Sequence, residues 1–347
     1  MKLEGLQVVR GIAATLVAVC HIYNDGWIPK AIVEMGDIRI DLFFAISGFI
    51  LSLTLKSLGT SKIQNAKTYL LKKAIRIFPV YLMCAIPLIV YVTVKSGTQS
   101  PFYYIGNLLL LPSFTNDPSY SLALPTAWSL VYEMLFYAVL LVGILLFIKK
   151  KYILIFVCSA LLITVVSINA LNLQGPRLSW VNLSFILGHL KVLNFASGIV
   201  IYYIFMRIKR KDYFNINQWA SIVLLFSGLI TLLHSLDLSN EYLRLTVVFI
   251  IILVTTITKN EFSNSKTGRF LIRLGNASFS IYLTHFYFAF FKPKVLLIGN
   301  LLPLSRDITL NIIDFILLAS AITAGIYFYQ HIEKPITKFL KSKLSVS

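Results

Sequence analysis

Long apolar runs alternate along this chain with short polar breaks, most of them basic. The first run, 6 to 23 (LQVVRGIAATLVAVCHIY), is aliphatic or small at nearly every position. It is too long for a buried strand and matches what a helix needs to cross a bilayer core of about 30 Å. Nine more runs of similar length follow, at approximately 38 to 56, 77 to 95, 127 to 148, 152 to 170, 183 to 206, 217 to 236, 242 to 259, 277 to 297 and 307 to 330. The pattern predicts an all-α polytopic membrane protein of about ten transmembrane helices, a single membrane domain over 1–347 with no soluble domain. The stretch 101 to 126 breaks the rhythm. Ile105 to Leu111 is apolar but short and lies between Pro101 and Pro112, so it reads as re-entrant or interfacial.

Composition agrees with that pattern. The chain is 57% hydrophobic and 13% charged, where a soluble domain carries about twice that charge. A formal charge of +18 would ordinarily suggest nucleic acid, but the positions of the charges exclude it. Alternate loops carry them: 22 of the 32 Lys and Arg fall on one side of the ten-span topology, including Lys149 to Lys151 and the tail Lys334 to Lys343, and six on the other. By the positive-inside rule both termini are cytoplasmic. Cys20, Cys84 and Cys158 lie in apolar runs without metal-ligand spacing, so no disulfide and no metal site is expected. No small-residue cleavage signature follows the first run, which is therefore read as a retained helix.

The informative residues are the polar ones that apolar runs should not tolerate freely. Arg10 and His21 stand in the first run. Eleven residues advance a helix by three turns and about 16 Å, so both lie on one face at different depths. Between them Ala14, Val17 and Ala18 leave a shallow track for a neighbouring helix or an extended ligand. The plain alternative is that Arg10 snorkels at one interface and His21 is satisfied at the other. Asp41, at the start of the second run, and Trp128, Ser129 and Glu133, at the start of the fourth, fall at the level of His21. Ser129, Glu133 and Tyr137 follow i, i+4, i+8 on one face. An imidazole and carboxylates at matched depth are a minimum set for acid–base chemistry, although Asp41 and Glu133 would equally suit helix starts. At the cytoplasmic level Lys72, Lys73 and Arg76 precede a helix start expected near Pro79, where cations oppose the dipole and call for an anion, either lipid or ligand phosphate. His285 falls mid-membrane in the ninth run as a pocket or packing residue. His189, Lys191 and Arg244 are possible outer-cavity residues, and Glu333, Lys334 and Pro335 are expected to stop the last helix with a local ion pair.

Taken together these motifs resemble the acyltransferase-3 family of polytopic bacterial membrane acyltransferases. Arg10 and His21, ten residues apart, resemble its first-helix signature. IDLFFAISGF, KKAIRIFPVY, AWSLVYEMLFY, LGNASFSIYLTHF and HIEKP resemble its later motifs in order over essentially the whole chain. Arg39, Lys73 and Thr284 depart from the residues usual at their positions. The resemblance implies a bacterial inner-membrane O-acyltransferase moving an acyl group, usually acetyl, from acyl-CoA as co-substrate, with no bound cofactor, to a glycan or glycolipid hydroxyl. It implies membrane lipid as surroundings, no nucleic acid, and a separate extracytoplasmic partner if the membrane domain does not finish the transfer alone. On this reading His21 is the general base, oriented by Glu133 or Asp41. Arg10, Lys72, Lys73 and Arg76 bind the donor, whose pantetheine arm follows the track between Arg10 and His21, and Trp128, Ser129, Tyr137 and His285 support the site. The competing class is a transporter or flippase for a lipid-linked sugar.

Overall fold

The computed structural model describes residues 3–23, 27, 28, 32, 38–55, 59–116, 119–208, 240–258, 261–299 and 305–344. The expected seventh span, 217 to 236, lies outside them, as do Lys209 to Lys211. Most of the described residues are helical, with an isolated bridge between Ser113 and Asn182. In order the helices are α1 (Glu4–Ile22), α2 (Ile38–Thr54), α3 (Lys62–Ser96), α4 (Pro101–Leu109), α5 (Trp128–Leu146), α6 (Lys150–Ala170), α7 (Leu183–Gly188), α8 (Lys191–Ile208), α9 (Glu241–Ile257), α10 (Lys266–Asn276), α11 (Ser278–Gly299), α12 (Arg306–Phe328) and α13 (Lys334–Lys343). Among the described residues six helical runs are long and apolar enough to cross a bilayer: α1, α3, α5, α6, α8 and the run from α12 through α13. The short α4 starts on Pro101, is capped by Ser100 and stops at the left-handed Leu110 (φ 55°), as expected of a segment that does not cross.

The structure corrects the sequence reading at three helix boundaries. α3 starts fifteen residues before the expected span, because Ser61 caps it by accepting a hydrogen bond from Gln64 N at 3.3 Å. Pro79 and Pro87 are therefore interior positions of α3, and Lys72, Lys73 and Arg76 sit within the helix rather than ahead of it. The supposed conflict with a helix dipole disappears. The sixth span is two helices: α7 ends at Gly188, His189 is extended (φ −81°, ψ 130°) and α8 begins at Lys191. The last helix does not stop at Glu333. It widens into a π turn over Tyr329–Glu333 and continues as α13. A wide turn just ahead of Pro335 accommodates a ring that would crowd the preceding carbonyls and a residue without an N–H.

Two compact units divide the chain. The first comprises Met1–Phe43 and Phe205–Lys334, the second Phe44–Ile204 and Pro335–Ser347. In the first unit α1 packs on α9, α10, α11 and α12, and α11 packs along α12. The approach of α1 to α10 needs glycine, since a Cβ at Gly275 would overlap the Gln7 carbonyl. In the second unit α5 packs on α3 and α6, and α6 on α7. There α2 and α8 touch through backbone, with Gly48 against the Phe195 carbonyl and Gly198 against the Ala45 carbonyl. Small residues at crossings are how helices associate in lipid, where packing rather than water drives them together.

Candidate functional site

The first unit carries His21 on the last turn of α1. Its imidazole is exposed, while Val17, Ala18, Ile22 and Tyr23 around it are buried. That end of α1 is held by polar groups from three directions. Lys292 Nζ donates to the Ile22 carbonyl at 2.6 Å and forms an ion pair with Asp314 at 2.7 Å. Arg39 donates to the Leu16 carbonyl at 2.8 Å. Asn311 accepts from the Tyr23 hydroxyl and, at 2.7 Å, from Trp27 N. Lys292 suits its place, since the last carbonyls of a helix, Ile22 among them, lack intrahelical partners and carry partial negative charge.

His285, from the middle of α11, stands beside His21 with ring centroids 5.3 Å apart and the planes tilted by 35°. It is fully buried, and its Nδ1 lies 3.1 Å from the Ile281 carbonyl. The residue expected mid-membrane as a packing or pocket group is thus the ring neighbour of the candidate base. Asp41 is differently engaged: its carboxylate is 3.4 Å from Arg244 Nε, and Arg244 also reaches Glu241 at 3.5 Å. Arg10, a little over three turns before His21 on α1, donates to Ser278 Oγ at 2.9 Å, at the start of α11.

The face between Arg10 and His21 goes to neighbouring helices. Ala14 packs with Leu274, Ala277 and Ile281, and Ala18 with Ile313, Leu317 and Ala321. Of the two uses open to that track, helix packing is the one realised, so a pantetheine arm does not run along it. A groove of small side chains reads the same in sequence whether a helix or a ligand fills it.

The second unit holds Glu133, Tyr137 and Lys73 together. The Tyr137 hydroxyl donates to Glu133, as the i, i+4 spacing on α5 anticipates. Lys73 Nζ sits 4.3 Å from the Tyr137 ring centroid and 5.7 Å from that of Tyr69, which meets Tyr137 edge-on at 6.1 Å. Lys73, Tyr69 and Arg76 follow i, i−4 and i+3 on α3, so one stripe faces α5. Ser129 is buried on α5. Trp128 stacks on Trp180 at 4.9 Å, and Trp180 also meets Arg177 at 3.6 Å, the buried Lys191 at 5.7 Å and the rings of His189 and Phe185.

Sequence reasoning did not single out Tyr69, Trp180, Asn311 or the Lys292–Asp314 pair as site residues. For the pair a signal existed: Asp314 is a carboxylate inside an apolar run, which calls for a cationic partner. Trp180 sits in a loop, where no periodicity marks it.

A helical chain with several membrane-crossing runs, small-residue helix crossings and buried ionisable groups is a multi-pass membrane protein. A family model described as an acyltransferase domain matches residues 3–341, and the chain belongs to that family, acyltransferase-3. The chain is also similar to the acyltransferase MdmB of Streptomyces mycarofaciens, at 22% identity over 377 aligned residues that take in all of this chain and 95% of that protein. No solved structure matches it.

Proposed function

We propose that this protein is an acyl-CoA-dependent O-acyltransferase of the bacterial cytoplasmic membrane, moving an acyl group, acetyl above all, to a hydroxyl of a cell-surface or lipid-linked glycan. Family membership supports acyl transfer, and the His21 imidazole, exposed on a helix whose other residues are buried or half-buried, is the observation that carries the mechanism. An imidazole at a helix end is reachable by a hydroxyl from outside the packed bundle, and it takes up and returns a proton near neutral pH. His21 removes the acceptor hydroxyl proton as the oxygen attacks the thioester carbonyl. The tetrahedral adduct collapses with loss of the C–S bond. The departing thiolate takes the proton from His21, leaving an ester and free CoA thiol.

For the donor we assign Lys72, Lys73 and Arg76, a cationic stretch of α3 suited to phosphate groups, with Arg76 the planar bidentate partner. Lys73 is steadied by Tyr69 and Tyr137 beside Glu133, so its share in donor binding is coupled to Glu133. The distribution of basic residues supports a cytoplasmic position for both termini. Lys73, however, lies beside Tyr137, nine residues into α5, so the expected separation in depth between this stretch and Glu133 does not hold.

The test uses purified protein in proteoliposomes with radiolabelled acetyl-CoA and washed envelopes of a strain lacking the protein as acceptor. Wild type transfers label to glycan, His21→Ala does not while inserting normally, and Arg76→Ala chiefly raises KM for acetyl-CoA. Transfer by the purified protein alone means that no extracytoplasmic partner is needed. Near-normal transfer by His21→Ala refutes the base assignment. Transport of a lipid-linked sugar with no consumption of acetyl-CoA refutes the enzyme class.

A further inference from the structure

A carbonyl oxygen can only accept a hydrogen bond. Because His285 Nδ1 faces the Ile281 carbonyl at 3.1 Å, that nitrogen carries the ring proton and Nε2 bears the lone pair. Nε2 is buried and has no hydrogen-bond partner among the described residues. Buried acceptors in folded proteins are nearly always satisfied, so an unmade bond of this kind calls for an explanation. The ring beside it belongs to His21. Ring nitrogens lie about 1.1 Å from their centroids, so a centroid separation of 5.3 Å leaves about 3 Å between two facing nitrogens, the length of an N–H···N hydrogen bond. His285 is buried, whereas His21 is exposed. Among the described residues of this unit, the buried carboxylates Asp41 and Asp314 are engaged elsewhere, with Arg244 and Lys292.

We propose that His285 is the positioning residue for His21, its Nε2 lone pair accepting the N–H of the His21 ring. This rests on His21 being the base of the reaction proposed above. The bond fixes the tautomer of His21 whose free nitrogen faces the acyl acceptor. When that nitrogen takes the hydroxyl proton, the same bond steadies the imidazolium until the CoA thiolate reclaims the proton. The N–H shared with His285 stays on His21 throughout. A neutral imidazole thus does here what a carboxylate does in a Ser–His–Asp arrangement.

The test compares His285→Leu, which removes the acceptor, with His285→Gln, whose amide oxygen replaces it, in the proteoliposome assay with radiolabelled acetyl-CoA. His285→Leu is expected to lower kcat about 100-fold, the scale of a misdirected general base, with KM for acetyl-CoA unchanged. Its thermal midpoint should not fall, since an unsatisfied polar atom is replaced by an apolar group. His285→Gln should recover about tenfold of the loss. Should His285→Leu fail to accumulate, His285→Met takes its place. A kcat within about threefold of wild type in the apolar variant overturns the proposal, as does equal loss in both variants at unchanged thermal midpoints. The two readings separate cleanly. An active His21→Ala refutes the base itself, whereas an inactive His21→Ala beside an active His285→Leu refutes only the role of His285.

Discussion

Removing the Asp314 carboxylate should be among the most destabilising single changes in the first unit. Asp314 is 1% exposed and Lys292 8%, and the ammonium lies 2.7 and 2.9 Å from the two carboxylate oxygens. In Asp314→Ala the Lys292 charge stays in the same surroundings, and its remaining hydrogen-bond partner among the described residues is the Ile22 carbonyl at 2.6 Å. A single neutral acceptor does not replace an ion pair, and stranding one buried partner typically costs about 3–5 kcal/mol. The double variant Lys292→Met, Asp314→Leu removes both charges and both desolvation penalties. By the same principle it should lie within about 1 kcal/mol of wild type or above it. The sign of this comparison is the informative quantity: two changes should hurt less than one. Thermal unfolding in detergent, followed by loss of the monodisperse fluorescent peak, gives the order Asp314→Ala well below wild type and the double variant near it. The double variant should still lose transfer activity, because the Ile22 carbonyl next to His21 loses its donor. An Asp314→Ala protein that melts with wild type, or a double variant as unstable as the single one, would refute the reasoning.

Four other changes probe the remaining links. Gly198→Val forces a side chain into the Ala45 carbonyl where α2 and α8 meet, and should lower stability by about 1–3 kcal/mol or prevent accumulation, read from expression and thermal unfolding. Glu133→Ala strips the acceptor from the Tyr137 hydroxyl and the carboxylate from beside Lys73, and should reduce transfer about 100-fold, whereas Tyr137→Phe keeps the ring under Lys73 and should stay within about tenfold. Ser61→Ala removes the cap that starts α3 early and should cost about 1 kcal/mol in thermal unfolding. A cysteine placed at Lys150 should resist an impermeant thiol reagent applied to intact cells and react after permeabilisation. Labelling from outside would overturn the assigned orientation.

Periodicity and hydropathy in the sequence were enough to establish that the chain is helical and crosses a membrane repeatedly, because lipid admits no other backbone solution for apolar runs of this length. The order of its motifs was enough to identify the family, and i, i+4 spacing alone placed Tyr137 against Glu133, because neighbours on one helix face follow from helix geometry. Where a helix begins was partly legible: the Ser61 and Gln64 pair that starts α3 was there to be read, although Pro79 drew the boundary fifteen residues too late. What neighbours do to a residue was not legible. Sequence places His21, Asp41 and His285 at depths, but only tertiary packing decides that Arg244 takes Asp41, that Lys292 and Asp314 find each other, and that His285 lies beside His21. The track of Ala14 and Ala18 looked equally fit for a helix or a ligand until the side chains of α10, α11 and α12 were seen to occupy it. A sequence lists which groups need partners, whereas the choice among partners of like chemistry is made by helix rotation and crossing, to which one-dimensional spacing is blind.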